Sequence, residues 1–558
     1  MNLSEQTRAA IFFALAIAVF LIWSHFFLPA ASTPSQMAQK AQTASNSAQQ
    51  QAASAASAQA SLQSAGKPAS VQPVEAIAER TVAVENPGTY RVEIANRGGV
   101  VRSWHLDKYS VDLVNPDVGT ELGWPLSLVL DDPKLEEQAN SALYQITPAG
   151  SQVAAPGSVT MQWSDGHLSV TKKLDFAKDY TVHLEASVTL DGKALPFAVA
   201  WRGAFGDKAV YQASQYVYVF YTQNGKTNLL QYKSLGNPAN RIQPFDQGGP
   251  MEFAGIEDQY FAAAFIPDGA EISLRHWTQW RHYSQANQSP DPEAQVAVGP
   301  IGEKALSARI FIGPKDLGIL GQQSPSLEGL INYGWTGIIA KPLLFILQWL
   351  HRFIPNYGWV IVIFTILLNM ALFPLKAWSF QSTKKMQQVA PEIKSIQDRY
   401  KKYSLRDPRK QKMNEEVMAV YSREGINPAG SCLLMLPQIP ILWALYRVLA
   451  YSIELRHAPW FGWIHDLSAR DPYYILPILM AATMYAAQKM TPMPATIDPA
   501  QQRMMMLMPL MFVAFFFRYA AGLNLYYLTV NLVAGAQQWY LNKTQPLPSR
   551  SKFKKNRE

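Results

Sequence analysis

The chain has 558 residues, 48% hydrophobic and 12% aromatic but only 16% charged, against a charged share of about 25% in soluble globular domains. Its net charge of +8 is unevenly placed: residues 29–330 carry 22 Lys+Arg against 29 Asp+Glu, net −7, which leaves +15 for the remainder. Positive charge lying between and after apolar stretches reads as the topology signal of a membrane protein and argues against a nucleic-acid-binding fold. The single cysteine, Cys432, excludes an internal disulfide framework and a cysteine-based zinc site.

After a short amino-terminal segment, 1–8, residues 9–28 form an apolar run long enough to cross a hydrocarbon core of about 30 Å as a helix. Arg8 and the amino terminus assign its start to the cytoplasm. A cleavable signal peptide is the competing reading, since Leu28-Pro29-Ala30-Ala31 offers small residues, but the run exceeds the usual apolar core of about 7–15 residues. Residues 29–70 read as a tether: from Ser35 to Gly66, 26 of 32 residues are Ala, Ser or Gln, too few large apolar side chains to offset ordering entropy.

Residues 71–326 switch to short alternating runs, such as 89–106, 158–176 and 180–197, with Asp165-Gly166 between two of them as a hairpin signal. Many short strands without helical periods predict a large antiparallel β-sandwich. Five histidines lie here, His105, His167, His183, His276 and His282, and no pair has metal-ligand spacing, so no metal is expected. A cleft for a sugar or peptide has no support beyond shape.

Residues 327–355 follow, with Lys341, Gln348 and Arg352 spaced to share one helical face, and predict a helix lying in the membrane interface. Further spans are expected at 357–376, 430–452, 472–490, 504–521 and 523–541, six in all with the first. The 377–427 connection and the 542–558 tail are rich in Lys and Arg, whereas the 453–471 loop has two basic residues against three acids; 491–503 is a short cytoplasmic link. Both termini then lie in the cytoplasm and the β domain outside, in the periplasm if the chain is bacterial. Within 377–427 two helical stretches, 379–403 and 407–425, predict a hairpin, the second opened by Asp407 as N-cap with Pro408 behind it. Its charge is at once a solvated face, an orientation signal and a candidate docking surface for ribosomal RNA or anionic headgroups.

The spans carry few ionisable groups: Arg447 and Arg518 fall near the outer surface, where snorkelling accounts for them. They carry uncharged polarity instead, including Thr365, Asn369, Gln438, Asn524, Tyr526, Tyr527, Thr529, Asn531, Gln537 and Gln538. Helix-to-helix hydrogen bonding accounts for many of these, and a shared face would line a wet groove. No phosphate loop, metalloprotease motif, nucleophile elbow or paired intramembrane carboxylates occur, so neither an enzyme nor a cofactor is expected.

The stretch 427–480, opening NPAGSCLLMLPQIPILWALY, and 522–539, GLNLYYLTVNLVAGAQQW, resemble the YidC branch of the YidC/Oxa/Alb membrane protein insertases, a likeness covering roughly 327–545. The resemblance implies five core helices around a hydrophilic groove open to cytoplasm and lipid. It implies action on nascent membrane proteins without a small-molecule substrate, alone or with the Sec translocon (SecYEG, SecDF), in contact with membrane lipids, the ribosome and the signal-recognition-particle receptor. On the family pattern Thr365 and Tyr527 match groove and client-contact positions, with Gln438 and Tyr526 as neighbours; Lys384, Lys385, Lys394 and Arg399 match the mobile cytoplasmic element, and Lys552, Lys554 and Lys555 the ribosome-facing tail. One position departs: five residues before Pro374, where the family usually has a groove arginine, stands Asn369, expected to supply hydration and hydrogen bonding only. Arg447 is the other candidate cation, toward the opposite side of the membrane. A solute transporter or lipid-handling protein would require ion-coordinating groups at midplane and repeated broken helices, which the sequence lacks. A merely anchored periplasmic scaffold leaves five polar-bearing spans unexplained.

Overall fold

The computed structural model describes residues 72–208, 217–231, 245–269, 271–281, 291–302, 304–403, 407–426, 435–490, 507, 509 and 516–544. The expected span at 9–28, the tether, most of the expected span at 504–521 and the tail beyond Thr544 lie outside them. The chain divides into two compact units between Ile331 and Asn332.

In the first unit the described strands make three sheets. The largest orders its neighbours Lys226–Gln231, Tyr218–Gln223, Phe253–Glu257, Phe261–Pro267, Leu306–Pro314, Thr181–Leu190, Leu168–Phe176, Gly157–Ser164 and Gln145–Thr147, all antiparallel. A second runs from Val111–Asp112 through Val100–Leu106, Tyr90–Ala95 and Thr81–Asn86 to Gln152–Ala154, whose pairing is parallel. The third orders Phe245–Gly249, Ile272–Arg281, Asp291–Pro300, Phe197–Trp201 and Ser127–Leu130. Leu168–Phe176 shows the alternation read from sequence, with Leu168, Val170, Lys172, Leu174 and Phe176 all buried. Phe253–Glu257 and Phe197–Trp201 do not alternate: every residue is buried, because both faces are covered. Gly255 allows the neighbouring strand to close in, since a Cβ there would lie 2.0 Å from the Ala263 carbonyl oxygen.

Trp104 stacks on Tyr90 at 5.8 Å and on Phe176 at 6.2 Å, and with Leu174, Ile310 and Trp201 it surrounds one small apolar space to which all three sheets contribute. The hairpin at Asp165 forms: Ser164 faces Ser169 across the turn, Gly166 takes φ +100°, and Asp165 Oδ1 accepts from His167 N and Leu168 N, each at 2.7 Å. A fully enclosed polar knot joins Lys315 Nζ to Glu257 Oε2 at 3.3 Å and to the Asp258 carbonyl at 2.8 Å. Asp258 in turn accepts from Asp207 N, Tyr260 N and Phe261 N.

In the second unit helix α1 is Gly337–His351 and α2 is Tyr357–Ala371. Helix α3 is Phe373–Gln388, α4 is Ala390–Arg399 and α5 is Pro408–Arg423. Helix α6 is Met435–Tyr451, α7 is Ile475–Met490 and α8 is Ala521–Thr544. Helix α8 packs on both α7 and α2, and α1 packs on α6 and α2. The expected span 357–376 is two helices: α2 stops at Ala371 and α3 departs at 48°, because Pro374 has no N–H for the carbonyl four residues back. Among the described residues no single helix is long and apolar enough to cross a membrane, while the bent α2–α3 pair passes together. The physical reasons differ: α2 spans about 22 Å on its own, and α8, about 36 Å long, carries the heavy polar load of Asn524, Thr529, Asn531, Gln537, Gln538 and Asn542.

Lys341, Gln348 and Arg352 keep the spacing of one face along α1, where Gln348 Nε2 donates to Glu454 Oε1 at 2.6 Å and Ile338, Phe345 and Trp349 stand exposed as well. One sequence reading is corrected here. The stretch 379–403 is not one helix, since α3 and α4 break at Val389, just before Pro391. Helices α4 and α5 nonetheless fold back around Val389, Ile393, Ile396, Met413, Val420 and Tyr421, with Asp407 capping α5 by accepting from Arg409 N at 2.9 Å.

Candidate functional site

The polar residues expected to share a groove separate into three kinds. Thr365 is fully buried, and its hydroxyl donates back to the Ile361 carbonyl at 2.6 Å. One turn on, Asn369 is buried and central: Nδ2 donates to the Thr365 carbonyl at 2.8 Å, its own carbonyl accepts from Gln537 Nε2 at 3.0 Å, and Oδ1 accepts from Lys376 Nζ at 2.8 Å. Lys376 Nζ also donates to Gln537 Oε1 at 3.2 Å. One cation and two amides thus tie α2, α3 and α8 together where the α2–α3 chain bends.

Lys376 is a residue the sequence reading passed over, although the signal was available: it follows Asn369 by seven residues, a spacing that puts the two on one side of a helix. Arg447, the sequence-level candidate for a groove cation, is engaged elsewhere: its guanidinium donates to the Asn332 carbonyl at 3.1 Å and lies 5.5 Å from the Tyr451 ring.

Tyr526 is buried and Tyr527 half-buried near the start of α8, their rings edge to face at 5.3 Å. Tyr527 meets Phe516 at 4.7 Å, Phe516 meets Tyr519 at 5.6 Å, and Tyr519 meets Tyr446 of α6 at 5.9 Å. Gln537 follows Tyr527 by about 15 Å along α8, so the tyrosines and the Asn369 network occupy different levels. The Gln438 side chain lies outside the described residues.

The remaining polar residues stitch helices. Asn531 Nδ2 donates to the Met480 carbonyl at 3.1 Å and Asn542 Nδ2 to the Met490 carbonyl at 3.2 Å, fastening α8 to α7. Thr529 bonds within its own helix, and Asn524 Nδ2 reaches the Phe516 carbonyl at 3.3 Å.

The loop before α7 covers one end of this bundle. Trp460 packs on Gly358 so closely that a Cβ there would lie 2.1 Å from its ring, and the Trp460 carbonyl accepts from Asn356 Nδ2 at 3.1 Å at the start of α2. At the start of α8, Ala521 N and Gly522 N donate to the carbonyls of Ala469 and Leu467. Asp471, buried, holds the loop by accepting from Trp463 Nε1 and Tyr473 N at 3.0 Å each and from Leu476 N at 2.6 Å.

Of the basic residues expected to face the cytoplasm, Lys385 and Lys394 are exposed with no ion pair among the described residues. Lys384 is half-buried over the Phe380 ring at 4.8 Å, and Arg399 is paired with Glu416 at 2.8 Å. Lys401, Lys402 and Lys412, not singled out from sequence, are exposed on the same hairpin. Lys552, Lys554 and Lys555 lie outside the described residues. Among the described residues no group of three His, Cys, Asp or Glu could hold a metal ion.

Comparison with known proteins fits this division. Residues 81–346 match the family model for the YidC periplasmic domain and 349–548 that for the 60Kd inner membrane protein. The chain is 34% identical over 542 residues to the membrane protein insertase YidC of Cupriavidus taiwanensis, covering 92% of this chain and 91% of the relative. It is 42% identical over 301 residues to that of a Geobacter species, covering 54% of each. Among solved structures, an active YidC insertase with its first transmembrane domain resolved is 17% identical, with 83% of this chain and 95% of that one covered and a TM-score of 0.36. The chain belongs to the YidC family of membrane protein insertases, which are not enzymes.

Proposed function

We propose that this chain inserts and helps fold inner-membrane proteins, alone or with the Sec translocon, through a polar groove built on α2 and α8. The observation that carries the reading is the polarity at Thr365 and Asn369, buried within a helical bundle whose loop at 453–474 covers the starts of α2 and α8. A recess closed at one end and polar within lowers the cost of bringing a client's hydrophilic segment partway across, while the client's apolar helix leaves against lipid. Burying an apolar helix of about 20 residues is itself downhill, so no cofactor is needed. The reading includes six spans with both termini in the cytoplasm and a periplasmic β-sandwich. It takes the exposed lysines of the hairpin and the tail as contacts for the ribosome or the signal-recognition-particle receptor.

The test places a photo-crosslinking amino acid at Thr365, at Tyr527 and, for comparison, at the outward-facing Ile478 of α7. Stalled ribosome–nascent-chain complexes of a small membrane protein are expected to crosslink at the first two sites well above the third. No capture from Thr365 and Tyr527 in correctly folded protein would sink the groove.

A further inference from the structure

The outward faces of α7 and α8 repeat one pattern. On α7 Ile478, Ala482, Tyr485 and Lys489 are exposed, and on α8 Leu532, Ala536, Trp539 and Lys543. Steps of four, three and four residues line up each set as a stripe along its helix, running from an aliphatic side chain to a ring to an ammonium. Asn531 reaches the carbonyl of Met480 and Asn542 that of Met490, so the two packed helices run parallel, with Lys489 and Lys543 within about 3 Å of one level. Each ammonium lies over the ring four residues earlier, Lys489 Nζ 4.8 Å from Tyr485 and Lys543 Nζ 5.2 Å from Trp539. Neither helix contains an Asp or Glu, and neither lysine has an ion pair among the described residues.

Snorkelling and the helix dipole explain a lysine at the end of a single span. Here two exposed cations share one depth on helices that touch, with no acid to answer them, above rings of the kind that settle between hydrocarbon and headgroup. We propose that Lys489 and Lys543 bind the phosphate of an anionic phospholipid, such as phosphatidylglycerol, whose acyl chains lie along the two apolar stripes. The inference rests on the reading of α7 and α8 as membrane spans. Charge complementarity selects an anionic headgroup over a zwitterionic one, and the exposed Ile478 and Leu532 give the chains a surface that RNA would not use.

The experiment titrates the full-length protein in non-ionic detergent with phosphatidylglycerol or phosphatidylcholine and reads, by native mass spectrometry, the concentration at which half the protein retains a lipid. The parent is expected to retain phosphatidylglycerol at the lower concentration. Lys489→Gln or Lys543→Gln should raise that concentration about fivefold and the two together about thirtyfold, arginine at both positions should keep it, and phosphatidylcholine should be unaffected throughout. Equal retention of the two lipids by the parent overturns the proposal, as does a double glutamine variant that matches the parent. Lys134→Gln with Lys193→Gln, exposed lysines of the first unit, changes the net charge equally; an equal loss there would make the attraction a diffuse one and overturn the site. A double variant at Lys489 and Lys543 that keeps the lipid but no longer co-sediments with ribosomes assigns the lysines to RNA and overturns it too. Release of the parent from membranes by alkaline carbonate would instead strike the reading of α7 and α8 as spans, and the site with it.

Discussion

Lys172 occupies a strand position where alternation calls for an apolar side chain, and it is fully buried. Its Nζ donates to the carbonyls of Gly98 and Gly99 at 3.0 Å and of Leu126 at 2.7 Å, beneath the Tyr144 ring at 5.2 Å. Burial pushes its pKa down to about 7. The unfolded chain keeps its lysines near the ordinary value of about 10.4, so between these two values the unfolded state binds more protons than the folded one. Stability therefore rises with pH from about 7 to about 10 and is insensitive to this group below that window. Lys172→Met, close in volume, is expected to abolish the rise. It also leaves three buried carbonyls without a donor, a cost of about 2–4 kcal/mol at pH 7. Unfolding of the full-length protein in detergent at several pH values, followed by protease resistance of the β unit, measures both. A variant matching the parent in stability and in slope would mean that the three hydrogen bonds contribute nothing.

Among the elements, the loop between α6 and α7 is held by two carboxylates: Asp466 accepts from His457 N and Ser468 N at 3.1 and 2.8 Å, and Asp471 is the more deeply buried of the two. Asp471 is 2% exposed and collects an indole N–H and two backbone N–H groups. Asp471→Ala leaves those donors unpaired and is expected to loosen the loop by about 2–3 kcal/mol, whereas Asp471→Asn, which keeps an acceptor oxygen, should do so less. Limited proteolysis, scoring cuts between residues 456 and 474, separates the two; equal cutting of parent and Asp471→Ala would show that the loop is held by its Asp466 and aromatic contacts instead. Elements fixed by local chemistry were legible in the sequence: Asp165-Gly166 makes its turn and Asp407 with Pro408 opens α5. Those fixed by surroundings were not. Phe253–Glu257 has no alternating pattern because other chain segments cover both faces. The polar residues of α8 were recognised as a group, but Asn531 among them turned out to bind α7, as does Asn542 just beyond them, a distinction set by the helix's rotation, which spacing alone does not give.

Across the whole molecule, charge is sorted by segment: net −7 over 29–330 against +15 elsewhere. Across the end of α3 and the hairpin of α4 and α5 that positive charge is itself divided between structure and display. Arg399 with Glu416 and Arg423 with Glu392, each at 2.8 Å, clasp the two helices, while Lys385, Lys394, Lys401, Lys402 and Lys412 stand exposed. Only the second set is available to an anionic surface such as ribosomal RNA, where each displaced counterion makes affinity depend on salt. Reversing Lys385 and Lys394 to Glu is expected to flatten the slope of log affinity against log salt by about 1.5 units, at roughly 0.7–0.9 for each phosphate no longer neutralised. Arg399→Ala should leave that slope nearly as it was and lower the hairpin's stability by about 0.5 kcal/mol, the worth of an exposed pair. Co-sedimentation of the full-length protein with ribosomes across a salt series tests both at once. If Arg399→Ala flattened the slope as strongly as the lysine reversals, the hairpin's charge would act as one diffuse field, and the separation of clasp from display would be wrong.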